Sequence, residues 1–175
     1  MIKSGDYQYI LLTDGTAELT NYTAYAEFLT VPAQIDGHAV TSIGSEAFIN
    51  SEFLSSIILP DCLTTIGIDA FCGCSFHTSI TLPNSLTSIG NGAFAGCESL
   101  TRSILPSSLT SIEAWAFSGC ESLASITLPD SLTTIGNWAF KSCPVSLNFT
   151  AVRGSWAESW CKENGKNYTY SNSID

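Results

Sequence analysis

The sequence predicts an α/β repeat solenoid, rich in strands with short helical turns, made of about five 23-residue coils and closed by a cap at each end. An Ala-Phe pair recurs every 23 residues without insertion, from Ala47-Phe48 to Ala139-Phe140. Isoleucine and proline recur at the same interval and in step, and the period fades towards both ends. A fixed period of this length is the sequence signature of stacked repeat units.

Three columns of identical residues predict the core. One 23-residue unit cannot bury its apolar side alone, whereas stacking places like on like in a continuous core. A column of small, polarisable thiols suits such an interior, so we expect buried free cysteines there rather than a zinc site. The predicted core comprises Phe48, Phe71, Phe94, Phe117 and Phe140; Ile43, Ile66, Ile89, Ile112 and Ile135; and Cys74, Cys97, Cys120 and Cys143.

Each unit contains a strand with a recognisable spacing. The Leu-x-x-Ile-x-Leu pattern over 123–128 is that of the strand in a leucine-rich repeat. Side chains alternate along a strand, so Ser125 and Thr127 face away from the core. Pro129 ends the strand because it lacks a backbone donor. We expect a second short extended piece over 132–136, and then a tight turn or a single helical turn at Trp138-Ala139-Phe140.

The two ends of the sequence are predicted to form caps. Asp14-Gly15 lies between two apolar runs and predicts a hairpin. Residues 29–32 repeat the strand motif and predict the first rung. Near the C-terminus, Ser155 and Glu158 have the spacing of a helix-capping box, and Gly165 can end that helix. We expect one continuous domain, with an N-terminal cap and first strand over 1–36, repeats over 37–152 and a C-terminal cap over 153–175.

These residues resemble the BspA-type leucine-rich repeats. The lead-in over 36–48, the repeat itself and the Gly-Ser-x-Ala-Glu start of the C-terminal cap carry the resemblance, which covers about residues 7 to 165. It implies a right-handed solenoid and, as in several members, adhesion to host or microbial partners. It also implies a secreted or cell-surface bacterial protein, whose export signal and anchor are expected to lie outside this chain.

Composition and motifs exclude several functions. The net charge is −10 and the six basic residues are scattered, which argues against nucleic acid. No apolar run approaches the length of a membrane span. Catalytic and phosphate-binding motifs are absent from the sequence, and the carboxylates are spread as solvated side chains. His77 replaces a leucine in its column and indicates a degenerate repeat, whereas His38 is expected to lie in a loop before the first full repeat. We therefore expect no enzyme activity, no cofactor and no metal.

The outward strand positions form a first candidate binding surface. Leucine-rich repeats commonly bind through this sheet face, although serine and threonine also simply suit an exposed strand. Ser103-Ile104 inverts the usual order and changes locally which residue faces outwards. The candidate residues are Ser56, Ile58, Ser79, Thr81, Arg102, Ile104, Ser125 and Thr127.

Tryptophan forms the second candidate surface. Trp115 and Trp138 share a column with Glu46 and Asp69, whose charges indicate exposure. Exposed indoles mark protein interfaces or sugar-stacking platforms. Alternatively, the tryptophans of the C-terminal cap pack nearby and bury this pair. The sequence thus favours a protein-binding or adhesion module, with a carbohydrate-binding module and a structural spacer as alternatives.

Overall fold

A computed structural model of the chain describes residues 1–74 and 79–171. It shows a strand-rich β-solenoid of about six turns, which confirms the predicted fold. His77, with its predicted place in the leucine column, lies outside the described residues, as does the side chain of Ser79.

Two sheets line the solenoid. The first sheet runs β1-β2-β3-β6-β8-β10-β12-β14, with β5 paired to β6. Its strands are β1 Ile2–Ser4, β2 Tyr7–Leu11, β3 Ala17–Tyr22, β5 Gln34–Ile35, β6 His38–Ile43, β8 Thr65–Ile66, β10 Ser88–Ile89, β12 Ser111–Ile112 and β14 Thr134–Ile135. The second sheet is parallel throughout and runs β16-β15-β13-β11-β9-β7-β4. Its strands are β4 Phe28–Thr30, β7 Ser56–Ile58, β9 Ser79–Thr81, β11 Arg102–Ile104, β13 Ser125–Thr127, β15 Asn148–Ala151 and β16 Tyr168–Tyr170.

The Ala-Phe segments are tight turns, the first of the two forms expected for them, and not helical turns. Alternate N–H groups of each segment except the last donate to carbonyls of the next coil, as when Phe71 N donates to Ala93 O at 2.8 Å and Gly73 N to Ala95 O at 2.8 Å. A helix would need those donors for carbonyls four residues earlier in its own segment. We call this set of bonds the inter-coil ladder.

Stacked phenylalanine rings form the centre of the core. Successive rings from Phe48 to Phe140 lie 5.2 to 5.5 Å apart, with interplanar angles of 6° to 16°. The cysteine column runs beside them, and each thiol donates to a phenylalanine carbonyl of the preceding coil, such as Cys97 to Phe71 O at 3.3 Å. These four thiols are free, and three of them are buried.

The core prediction needs correction at its C-terminal end. Ile135 and Cys143 are only half-buried, whereas their equivalents in earlier coils are buried. Both belong to the last complete coil, so no further repeat covers their outer side. Burial in a solenoid depends on the neighbouring coil as much as on the residue type.

The caps form as the sequence indicates. β2 and β3 make the predicted antiparallel hairpin, and β4 pairs with β7 as the first rung of the second sheet. Helix α1, Trp156–Glu163, begins after Ser155, whose hydroxyl accepts from Glu158 N at 3.1 Å. β16 then adds the last strand beside β15. The predicted cap and repeat boundaries at residues 36 and 152 stay predictions.

Candidate functional site

The outward columns of the second sheet lie in register. Ile58 and Ile104 are 61% and 59% exposed, and Thr81 and Ser56 are exposed beside them. Three further candidates of the face follow this register: Arg102 is exposed, and Ser125 and Thr127 are half-buried. For Ser79 only the strand position is described.

The inverted pair in β11 has a cost. Ser103 pairs in register with Ile80 and Ile126 and takes the inward isoleucine position, so Ile104 faces outwards. Ser103 is buried, and its hydroxyl has no hydrogen-bond partner within the described part of the chain. A buried polar group without a partner destabilises the fold. The outward Ile104 therefore comes with a defect in the core.

The tryptophan column has an unusual backbone conformation. Its members Glu46, Asp69, Gly92, Trp115 and Trp138 all have positive φ, between 50° and 61°. Glycine adopts this left-handed region freely, and asparagine and aspartate tolerate it, whereas a bulky side chain there is an outlier. Two of the five coils thus carry tryptophan where the backbone favours a small residue.

The two indoles form a pair on the surface. Their ring centroids are 4.9 Å apart at an interplanar angle of 40°, and Lys141 Nζ lies 4.9 Å from the centre of the Trp115 ring. Trp138 is 60% exposed and Trp115 is half-buried. The alternative in which the cap covers the pair does not hold for Trp138. The ring of Trp160 in the cap packs instead against Phe140 and Phe149, at 6.1 and 5.7 Å.

A cavity of about 440 Å³ opens beside Trp138, between the last coil and the end of α1. We call it the C-terminal slot. Its walls carry two lysines and two asparagines but no carboxylate, although the chain has a net charge of −10. The lining residues are Ile135, Gly136, Asn137, Trp138, Ala139, Phe140, Lys141, Trp160, Asn164 and Lys166.

A buried carboxylate secures the cap next to this slot. Glu158 accepts from Gly154 N at 2.6 Å and from the Tyr170 hydroxyl at 2.7 Å, and it pairs with Lys162 Nζ at 2.6 Å. The Lys162 ammonium and then these hydrogen bonds lower the pKa of Glu158 to about 2. The network holds α1 against β16, and its role is structural.

Sequence reasoning missed an aromatic pair at the opposite end. Tyr25 and Phe53 are 89% and 66% exposed, and their rings meet edge to face at 5.9 Å. Both lie outside the repeating columns, so the period gave no signal for them. The residues around them line a second cavity of about 260 Å³ at the N-terminal end.

Burial changes the acidity of the thiols in the cysteine column. Burial raises the pKa of Cys74 and Cys120 to about 12, and it also raises the pKa of Cys97. A thiol with a raised pKa is a poor nucleophile at neutral pH. Over residues 1–74 and 79–171, no group of three potential metal ligands comes together. No helix in these ranges is long and apolar enough to cross a bilayer.

The fold and this surface define a class: a repeat solenoid that displays side chains on its outer face. A model of the BspA-type leucine-rich repeat region matches residues 41–155 in six copies. The chain belongs to this family.

Solved structures of bacterial repeat proteins are similar to it. A T. pallidum leucine-rich repeat protein is 34% identical, with a TM-score of 0.80, over 85% of this chain and 70% of that one. A leucine-rich cell surface protein of Faecalibacterium prausnitzii A2-165 is 28% identical, with a TM-score of 0.50, over 86% and 54%. A Bacteroides ovatus leucine-rich repeat protein is 26% identical, with a TM-score of 0.51, over 87% and 56%. The chain thus spans little more than half of the latter two proteins. No curated protein matches the chain.

Proposed function

We propose that the chain is a non-catalytic protein-interaction module of a secreted or cell-surface protein, and that the Trp115–Trp138 pair is its main contact. The observation that carries the proposal is the placement of two adjacent tryptophans at left-handed backbone positions. Outliers of this kind persist where the surrounding structure or function requires them.

Folding alone gives no reason for tryptophan there. The same position holds glutamate, aspartate and glycine in three other coils, and the coil geometry is the same in each. The side chains point out of the solenoid, with Trp138 more than half exposed. Large aromatic residues carry a disproportionate share of binding energy at interfaces.

The geometry favours a protein partner over a sugar. The indole planes are tilted by 40°, so they do not form one flat platform for a pyranose ring. Lys141 lies over the ring of Trp115. Of the two indoles, only Trp138 exposes most of its surface to solvent, and it borders the C-terminal slot with its lysines and asparagines. A mixed aromatic and polar surface of this kind is typical of protein interfaces.

Glycine substitutions test this proposal without disturbing the fold. Gly92 occupies the same column, so Trp115→Gly and Trp138→Gly place a residue that the backbone prefers. Arrays of bacterial and host surface proteins, with glycan arrays in parallel, identify the partner class. We expect wild type to bind a protein, and the double variant to bind it at least about thirtyfold more weakly.

Trp156→Ala is the matched control, because Trp156 is 39% exposed but lies on the cap helix outside the pair. It should leave binding unchanged. A glycan as the bound species would favour the carbohydrate-binding alternative, and binding in neither array would favour a spacer. Equal binding by wild type and the double variant would move the contact to the sheet face with Ile58, Arg102 and Ile104.

A further inference from the structure

The inter-coil ladder is incomplete at its last step. In the fourth coil, the N–H groups of Trp115, Phe117 and Gly119 donate to carbonyls of residues 137, 139 and 141, at 3.2, 2.8 and 2.8 Å. Earlier coils repeat this pattern of three donors and three acceptors. Each step joins alternate residues of one turn segment to alternate residues of the next, with both segments running in the same direction.

In the last complete coil the corresponding donors are the N–H groups of Trp138, Phe140 and Ser142. The chain then enters β15 and α1 and places no further turn segment beside them. None of these three groups has a hydrogen-bond partner within residues 1–74 and 79–171. Because the fold repeats, they point out of the end of the solenoid, as their equivalents point towards the next coil.

The C-terminal slot lies at this end and has the complementary charge. Trp138 and Phe140 line it, together with Lys141 and Lys166. Its lining residues include no acid, on a chain whose net charge is −10. The slot therefore offers hydrogen-bond donors and positive charge, and selects an occupant that supplies acceptors and negative charge.

We propose that the C-terminal slot binds an acidic segment of a partner protein that adopts the turn conformation of a coil segment. The segment lies parallel to residues 138–142 and takes the place of the next coil's turn, so that main chain adds to main chain as it does when a strand is added to a sheet edge. Its alternate main-chain carbonyls accept from Trp138, Phe140 and Ser142, and its carboxylates face Lys141 and Lys166. This inference deepens the proposed function, since Trp138 borders both the indole pair and the slot.

The donor pattern decides between a peptide and an acidic glycan. In the ladder, the acceptors are main-chain carbonyls of residues i, i+2 and i+4 of a turn segment, a pattern that another polypeptide segment can reproduce. A polyuronate supplies charge without carbonyl groups in that pattern. A peptide satisfies both requirements of the slot.

The test uses a blocked pentapeptide in which glutamate alternates with threonine, at millimolar concentration, added to ¹⁵N-labelled protein. We expect amide shifts and slowed hydrogen exchange at Trp138, Phe140 and Ser142. The equivalent amides of Trp115, Phe117 and Gly119 are already bonded and should not change. The same peptide with lysine in place of glutamate should not bind.

Charge variants test whether the two lysines of the slot bind the carboxylates of the peptide. Lys141→Gln and Lys166→Gln should each weaken peptide binding about two- to fivefold, the range for exposed ion pairs. Lys3→Gln is the matched control, since Lys3 is exposed on β1 at the opposite end of the first sheet. It should have no effect.

Three outcomes would overturn the inference. One is no shift with the acidic pentapeptide; another is shifts without slowed exchange of the three amides, which would reduce the interaction to ion pairing. The third is protection of those amides by a short polyuronate but not by the peptide, which would assign the slot to a glycan. Peptide binding that is equal in wild type and Trp138→Gly would leave this inference standing while contradicting the role of the indole pair.

Discussion

The phenylalanine column and the left-handed column lie in the same turns, one inside the solenoid and one outside. Every complete coil places phenylalanine at the inner position, where stacking on both sides leaves no choice of size or shape. The outer position holds Glu46, Asp69, Gly92, Trp115 and Trp138 on an almost constant backbone. Packing therefore determines the residue at the inner position. The residue at the outer position changes from coil to coil, and this variation supports the proposed role of the two tryptophans.

The sharpest test of this contrast is Phe117→Ala, which we expect to lower the free energy of unfolding by about 3–5 kcal/mol. Phe117 is fully buried and stacks on Phe94 and Phe140, so the cavity opens towards two coils. Urea denaturation followed by circular dichroism measures the loss. A loss below about 1 kcal/mol would mean that the ring stack does not stabilise the solenoid.

The buried thiols of the cysteine column should be protected from reagents in solution. We expect Cys97 and Cys120 to react with a thiol reagent at least about a hundredfold more slowly in the native protein than in urea, because reaction needs opening of the core. The half-buried Cys62 is the internal control and should react faster. Mass spectrometry of the labelled peptides gives the rates site by site. Equal native rates for Cys62 and Cys120 would contradict a closed core.

Ser103→Ala should raise stability by about 1 kcal/mol, because it removes a buried hydroxyl that has no partner. Ser125→Ala, on the outward side of the next strand, is the control and should change the free energy of unfolding by less than about 0.5 kcal/mol. Paired urea titrations are sufficient. A loss of stability in Ser103→Ala would show that the hydroxyl has a role in the fold.

The smallest effect is expected at the outer column. Trp138→Gly loses contact with Trp115 but relieves a left-handed backbone conformation, and we expect stability within about 1 kcal/mol of wild type. Quenching of tryptophan fluorescence by acrylamide should fall in this variant, since the most exposed member of the pair is gone. A loss of more than about 2 kcal/mol in the free energy of unfolding would show that Trp138 stabilises the fold as the phenylalanines do, and would contradict the difference between the two columns.

The sequence predicted whatever repeats. The 23-residue period was sufficient for the coils, the phenylalanine stack and the strand register, and Asp14-Gly15 and Ser155 located the two caps. It left a tight turn and a helical turn as alternatives at 138–140, because the hydrogen bonds between coils that favour the tight turn depend on how the coils stack. It also missed the half-burial of Ile135 and Cys143, which depends on where the stack stops.

One feature of the candidate site could have been predicted from the sequence, and another could not. Aspartate and glycine at positions 69 and 92 were a readable signal for a left-handed backbone, and with it the unusual placement of Trp115 could have been noticed. The C-terminal slot had no such signal. It exists because α1 leaves the path of the coils, and the direction of that departure is set by tertiary packing of Trp160 on Phe140 and Phe149.

The inter-coil ladder and both sheets place their hydrogen bonds along the solenoid axis, which has a mechanical consequence. Tension applied between the two ends of the chain acts along these bonds. We therefore expect them to break one coil at a time rather than many together. Each 23-residue coil that peels away releases about 80 Å of extended chain. We therefore expect the solenoid to lengthen in steps of one coil under load.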